Sequence, residues 1–275
     1  DEIKGIWGNG EIFNLKKPTG STCLEHNLTW RGLCGAAPFL AIVTELKLQT
    51  KPSSKTLICQ LDLSIDELKE IIMQAESWPN SASLQWTWNN EITALIVITG
   101  EEERMINSLI RSIGYKKDFR VKSISTLNDI PSLQPAKSLI QDCQHYHCEV
   151  VGLLGPDWKE DCRSLINRIN YLMKIRPDSR CTICAQQLGG VTTNIPVDRS
   201  SFIHRDSTWK PWITAAWPAN DSARREQSLN WLKKVWSTLE TYCPGVHLAQ
   251  MHPHLPWHKE EVTSAFGAWL PGLKE

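Results

Sequence analysis

The sequence predicts an α+β fold: one wide antiparallel sheet built from two tandem β-α-β-β-α-β units, with helices on one face. Two observations predict it. Between residues 56 and 125, period-two segments and helical stripes follow one another in the order β-α-β-β-α-β. Between residues 147 and 251 the same order recurs without sequence similarity. Joined edge to edge, two such units leave the second sheet face without helices, and an apolar face of that kind needs a cover, either a second domain or a ligand.

The elements follow in order. Residues 3–16 read as a hairpin turning at Gly8-Asn9-Gly10. A polar loop and a small-residue-rich run over 30–41 lead into an apolar strand over 42–48, and Lys51-Pro-Ser-Ser-Lys reads as a linker. In the first unit TLICQLDL (56–63) is a strand, Ser64 and Glu67 form a capping box, and Leu68, Ile71, Ile72 and Ala75 make the helical stripe behind it. SLQWTWN (83–89) alternates, with Leu84, Trp86 and Trp88 on one face. Asn89-Asn90 turns into the strand ITALIVIT (92–99). A helix with Met105, Ile106, Leu109, Ile110 and Ile113 inward ends at Gly114, and FRVKSIS (119–125) closes the unit.

After a Pro-containing stretch over 126–140, HCEVVGLL (147–154) opens the second unit. Asp157, boxed by Glu160, is expected to cap a helix with Leu165, Ile166, Ile169, Leu172 and Met173 inward. CTICAQQLGGVTTNI (181–195) reads as one long strand, and WKPWITAAW (209–217) as another, with Pro211 near its start or at an edge. Asp221 caps a helix carrying Leu229, Leu232, Trp236 and Leu239, and GVHLAQM (245–251) is the last strand.

Composition narrows the function classes. Thirty basic residues balance thirty acidic ones among 275, which gives no electrostatic footprint for nucleic acid or a membrane surface. No apolar run approaches the roughly 18–20 residues that span a bilayer. The chain starts without methionine or a signal peptide and stops inside a helix-like run, so it is expected to be a piece of a longer polypeptide. Nine cysteines, an odd number, and sequons at Asn27 and Asn220 lean towards a secretory origin without fixing the compartment. Thirteen tryptophans against five phenylalanines suit both cores and ligand-pocket walls.

The densest polar cluster lies in residues 187–206, QLGGVTTNIPVDRSSFIHRD, where a double glycine precedes Phe202, His204 and Arg205. Cys181 and Cys184, three apart on a strand, point to opposite faces and cannot share one ion. Cys143, His145 and His147 share a parity and could converge on zinc if extended, but no second ligand pair of matching spacing accompanies them. His252, His254 and His258 sit among prolines, a loop setting that favours surface or site roles over core ones. Ser200-Ser201 lacks a nucleophile-elbow context, and no phosphate-binding glycine motif occurs.

Three segments together resemble the berberine-bridge-like branch of the FAD-linked oxidases. The first is Gly189-Gly190-Val191, Pro196 and Ser200-Ser201-Phe202-Ile203-His204-Arg205-Asp206. The second runs from Leu33 to Thr44 and matches fully at Ile42, Val43 and Thr44, with Cys34, Ala37, Phe39 and Ala41 departing from the pattern. The third is Ala265-Phe266-Gly267 with Leu270, Leu273 and Lys274.

The resemblance implies a flavin domain split around a substrate domain: 1–51 as the edge of the FAD-binding segment, 52–250 as the substrate-binding domain, and 251–275 as the return to the flavin domain. It also implies a preceding FAD-binding segment as partner. Ile42, Val43 and Thr44 would meet FAD. His247 falls where the family has a tyrosine base, and Ala249 where it has an asparagine. The implied reaction is oxidation of a small-molecule substrate by hydride transfer to FAD, with reoxidation by dioxygen. Trp86 and Trp88 are candidate substrate-pocket walls if their face is the helix-free one. His204 and Arg205 are candidates at the same site, expected to brace the sheet or a domain contact, with Arg205 held by a carboxylate or carbonyls. The alternative is a non-redox binding module or cyclase on the same scaffold.

Overall fold

The computed structural model describes residues 1–20, 22–50, 52, 54–100, 103–124, 145–248 and 252–274. The chain divides into two compact units, one formed by Asp1–Ser53, Val191–Arg205 and Pro253–Glu275, the other by Ser54–Gly190 and Asp206–His252.

In the first unit, β1 (Glu2–Trp7) and β2 (Ile12–Lys16) form the expected hairpin. With β3 (Ala41–Lys47) they make a three-stranded antiparallel sheet in the order β2-β1-β3. Its inner face packs Ile3, Phe13 and Leu33 with Trp7, Leu15, Trp30 and Val43, and Trp7 stacks on Phe13 at 4.1 Å. The outer face carries an apolar rung across all three strands, Ile12–Ile6–Ile42.

Residues 30–41, read from sequence only as small-residue-rich, belong to helix α1 (Leu24–Leu40), which is broken at Cys34 and Gly35. The break has a local cause. Pro38 has no N–H to give the Cys34 carbonyl, and Gly35 leaves the helix at φ +121°. The freed carbonyls are recaptured by Ser201, whose N–H reaches the oxygens of Cys34 at 2.8 Å and Arg31 at 3.0 Å, while its hydroxyl donates to Arg31 O at 2.9 Å. Trp269 Nε1 donates to the same hydroxyl at 2.9 Å, and the Arg31 guanidinium lies 3.6 Å from the Trp269 ring centre.

A Cβ on Gly35 would stand 2.7 Å from the Phe202 nitrogen. Gly35→Ala therefore combines backbone strain with a backbone collision, and is expected to destabilise the first unit by about 2 kcal/mol or more. Chemical denaturation checks this; a change below about 0.5 kcal/mol, the level of an ordinary surface substitution, would contradict it.

The second unit contains the duplication. Its first half is β4 (Thr56–Leu63), α2 (Ile65–Ala75), β5 (Ala82–Trp88), β6 (Ile92–Thr99), α3 (Glu103–Ser112) and β7 (Val121–Ile124). Its second half is β8 (Tyr146–Leu154), α4 (Cys162–Lys174), β9 (Thr182–Gln187), β10 (Trp209–Pro218), α5 (Ser222–Leu239) and β11 (Gly245–His247). The sheet has eight antiparallel strands in the order β11-β8-β10-β9-β5-β6-β4-β7. Each half thus runs second, third, first, fourth strand, and the halves join through their second strands, β5 and β9.

The capping box at Ser64 and Glu67 is present, and Asp221 caps α5 through Arg224 N–H at 2.8 Å. Asp157 does not cap α4. A 3₁₀ turn, Lys159–Asp161, comes first, and α4 begins at Cys162. Its inward set still includes Leu165, Ile166, Ile169, Leu172 and Met173. The expected strand over 181–195 stops at Gln187. Gly189 and Gly190 take φ +145° and +63°, and the chain from Val191 belongs to the first unit, where two 3₁₀ turns replace the strand. Pro211 lies near the start of β10, where pairing with β8 begins only at Trp212.

Strand registers assign the two sheet faces. Trp88 pairs with Ile92 and Ile183, Trp86 with Ala94 and Ala185, and Leu84 with Ile96, so these side chains share one face. Gln187 lies on that face and donates from Nε2 to the Ala75 carbonyl of α2 at 2.5 Å. It is therefore the helix-covered face. Trp86 is fully buried there, edge-on to Trp158, which stacks on Trp209 at 5.0 Å. This corrects the expectation that Trp86 and Trp88 line a pocket on the bare side: both are core residues under the helices. A single carboxylate fastens that layer. Glu76, just after α2, accepts from Trp158 N–H at 2.6 Å, Lys159 N–H at 3.0 Å and Trp209 Nε1 at 2.7 Å.

Candidate functional site

The opposite face has no such apolar run. Two rungs cross its middle. One is His247 on β11, Gly152 on β8, Trp212 on β10, Cys184 on β9, Thr87 on β5 and Thr93 on β6. Beside it run Lys210 on β10, Gln186 on β9 and Gln85 on β5. Alternation along each strand puts these residues outward because their neighbours, Trp209, Ile213, Ala185 and Trp86, go to the helix side. His247, Trp212, Lys210, Gln186 and Gln85 are all half-buried.

Gly152 separates His247 from Trp212. With no side chain of its own, it lets the His247 imidazole lie close over the strand. A Cβ there would sit 3.4 Å from His247 Cβ and 3.8 Å from Nδ1.

The electrostatics of this face are cationic and unevenly solvated. Burial, with the Lys210 charge adding to it, lowers the His247 pKa from the usual 6.5 to about 4, so the ring is neutral at neutral pH and keeps a basic nitrogen. Burial also pulls the Lys210 ammonium below its ordinary range. Its Nζ lies 5.7 Å from the Trp212 ring centre. Burial drives the Cys184 thiol up to about 12, which keeps it protonated and unreactive. Such an arrangement can stack an organic group, hold a negative charge and take up a proton.

The remaining sequence candidates fall elsewhere. His204 and Arg205 lie in the first unit. His204 Nε2 contacts the Ser264 carbonyl at 2.8 Å, and Arg205 donates to Ser200 Oγ at 2.5 Å and to Thr192 O at 3.5 Å, with its guanidinium 4.9 Å from the Phe202 ring centre. Both brace a loop, and Arg205 does so on a hydroxyl and a carbonyl. Ile42 projects from the edge strand β3 at 70% exposure, Val43 turns to the inner face, and Thr44 Oγ1 donates to Lys4 O at 3.4 Å.

Cys143 and Ala249 lie outside the described residues, and among those described no cluster of three His, Cys, Asp or Glu could hold a metal. Cys181 is buried with its sulfur on the Ala216 backbone, apart from Cys184. His252, whose loop setting favours a surface or site role over a core one, is buried against Glu149 at 3.2 Å. His258 Nδ1 lies 3.6 Å from Glu261 Oε2. No described helix is long and apolar enough to cross a membrane.

Of the residues on this face, the sequence singled out His247 and not Lys210, Trp212, Gln186 or Gln85. The signal was available: in WKPWITAAW, Lys210 and Trp212 alternate with residues the helices cover.

No protein-family model and no curated protein matches the chain. Solved structures do match it. BBE-like 1 of Physcomitrella patens aligns with a TM-score of 0.75 at 13% identity, over 99% of this chain and 60% of that one. BBE-like #28 from Arabidopsis thaliana gives 0.73 at 15% identity, over 99% and 62%. A chitooligosaccharide oxidase gives 0.75 at 13%, over 99% and 61%. The chain has the fold of these proteins and spans about three-fifths of their length.

Proposed function

We propose that this chain is the substrate-binding part of an FAD-dependent oxidoreductase, and that the sheet face opposite the described helices, which carries His247, Gly152, Trp212 and Lys210, is its substrate wall. The observation that carries the reading is the pairing of that half-buried, basic and aromatic face with the fold shared with BBE-like proteins and an oligosaccharide oxidase.

The first unit fits a flavin in kind. Edge strand β3 offers exposed Ile42 for apolar ring contact, and it pairs only with β1 among the described strands, which leaves backbone N–H and C=O groups for the polar ring edge. Ile42, Val43 and Thr44 would form the seat. The Ile12–Ile6–Ile42 rung would be covered by an additional FAD-binding segment of the kind that the longer solved structures have room for. Residues 1–51 and 251–275 would then belong to the flavin domain and 52–250 to the substrate domain. The chemistry FAD supplies when bound is acceptance of a hydride from a substrate carbon, with dioxygen as final acceptor. The chain's own residues do the rest. Trp212 orients the substrate, and neutral His247 accepts the proton released as a hydroxyl or amine is oxidised.

The natural polypeptide carrying this chain is expected to purify with a visible flavin absorbance that bleaches under anaerobic conditions when substrate is added. A protein without flavin, in its isolated and its denatured supernatant fractions alike, would overturn the oxidase reading in favour of a non-redox module on the same scaffold.

A further inference from the structure

We propose that Lys210 is a substrate-binding residue that selects a ring-bearing carboxylate, holding its anionic end while the ring lies on Trp212. The inference rests on the reading of this face as the substrate wall and adds the chemical class that the wall accepts.

Three observations carry it. Lys210 is half-buried on the face opposite the described helices and makes no ion pair among the described residues. Its rung neighbours are the amides Gln186 and Gln85, and the adjacent rung holds Trp212, Cys184, Thr87 and the neutral His247. None of these supplies a negative charge. Second, the nearest carboxylates placed by register lie elsewhere. Glu76 caps α2 and bonds Trp209 on the helix-covered face, Glu149 has the helix-covered parity, and Asp62 is on β4, beyond β5 and β6. Third, the ammonium is desolvated, its pKa lowered by burial with no acidic group acting against that.

A cation taken partly out of water without a partner is costly, and a bound anion is the group that removes the cost. Lysine presents a point charge with three donors, which suits a carboxylate that can rotate about its bond to the ring. Gln186 and Gln85, adjacent on the same rung, supply amide N–H donors along the line an extended acid would follow. Trp212 offers a flat apolar surface, which receives an aromatic or a sugar ring. Aromatic acids and sugar acids share this chemistry, so both are tested.

The experiment is calorimetric binding to the natural polypeptide of phenylacetate against phenylacetamide, and of glucuronate against glucuronamide. Lys210→Met and Lys210→Arg are measured alongside wild type, with a melting curve for each variant. In at least one pair the acid is expected to bind about tenfold or more tighter than its amide, equivalent to about 1.4 kcal/mol. Lys210→Met should erase that preference at unchanged fold, and Lys210→Arg should restore most of it. Acid and amide binding alike, neither binding, or a preference that survives in Lys210→Met would overturn the proposal. Binding is read without turnover, so a protein that lacks oxidase activity but keeps the acid preference separates failure of the oxidase reading from failure of this one.

Discussion

Replacing His247 by alanine should lower turnover by about 10²–10⁴-fold with a smaller change in KM, because a group that takes a proton in the transition state contributes on that scale. The geometry offers no evident substitute on the same rung: Trp212 has no basic nitrogen, and Cys184 is held protonated. The pH profile carries an independent signature. Burial and the Lys210 charge lower the His247 pKa to about 4, so the active neutral form persists through the mildly acidic range. Activity should stay level down to about pH 5 and fall roughly tenfold per unit below about pH 4.

The linked stability effect has the same direction. The unfolded imidazole, with a pKa near 6.5, binds a proton that the folded one refuses. Stability therefore falls as pH drops from about 6.5 to about 4, and this dependence disappears in His247→Ala. An acidic limb near pH 6.5, or a variant within about threefold of wild-type turnover, would show that His247 is not the proton acceptor.

The largest effect on stability is expected at Glu76. Its carboxylate accepts three N–H donors, from Trp158, Lys159 and Trp209, and so ties the end of α2 to the turn before α4 and to the start of β10. Trp158 and Trp209 are almost completely buried, so their donors cannot turn to water when the carboxylate is removed. The turn itself is strained, with Lys159 at φ +44°. Glu76→Ala is expected to cost about 3–5 kcal/mol, from lost bonds to a charged acceptor and buried donors left unmade. Glu76→Gln keeps one carbonyl acceptor and should cost about half as much. Urea denaturation reads both. A loss below about 1 kcal/mol in Glu76→Ala would mean the stacked tryptophans hold the turn without the carboxylate.

Much of this fold was legible because most of its elements obey simple periods. The stripe of α2, its capping box, the alternation of β5 and the apolar run of β6 are local signals, and the repeated β-α-β-β-α-β order follows from them. Helix α1 was not legible, because its continuity depends on Ser201, 170 residues away from Arg31, taking the carbonyls that Pro38 and Gly35 release. The strand ending at Gln187 was over-extended for a related reason: Val191 and Thr192 have strand propensity, but Gly189 and Gly190 redirect the chain into another unit.

The site was half legible. His247 stood out by resemblance, whereas Trp86 and Trp88 attracted notice as aromatics. Which face of a strand meets the helices depends on registers that no single segment encodes. Once the Trp86–Ala185 and Trp212–Gly152 pairings are known, parity alone puts Trp86 and Trp88 on the helix-covered face and Trp212 and Lys210 on the other. The segment ending in His204 and Arg205, the densest polar cluster in the sequence, braces α1 and the C-terminal helix α6 (His258–Phe266).

Chemical-shift mapping of the natural polypeptide with selectively labelled His, Trp and Lys, titrated with the substrate found by dioxygen uptake, locates the substrate wall directly. His247, Trp212 and Lys210 should shift together at the kinetic KM while Trp86 and Trp88 stay unmoved. Shifts centred on Trp86 and Trp88, or none at the three wall residues, would contradict that assignment.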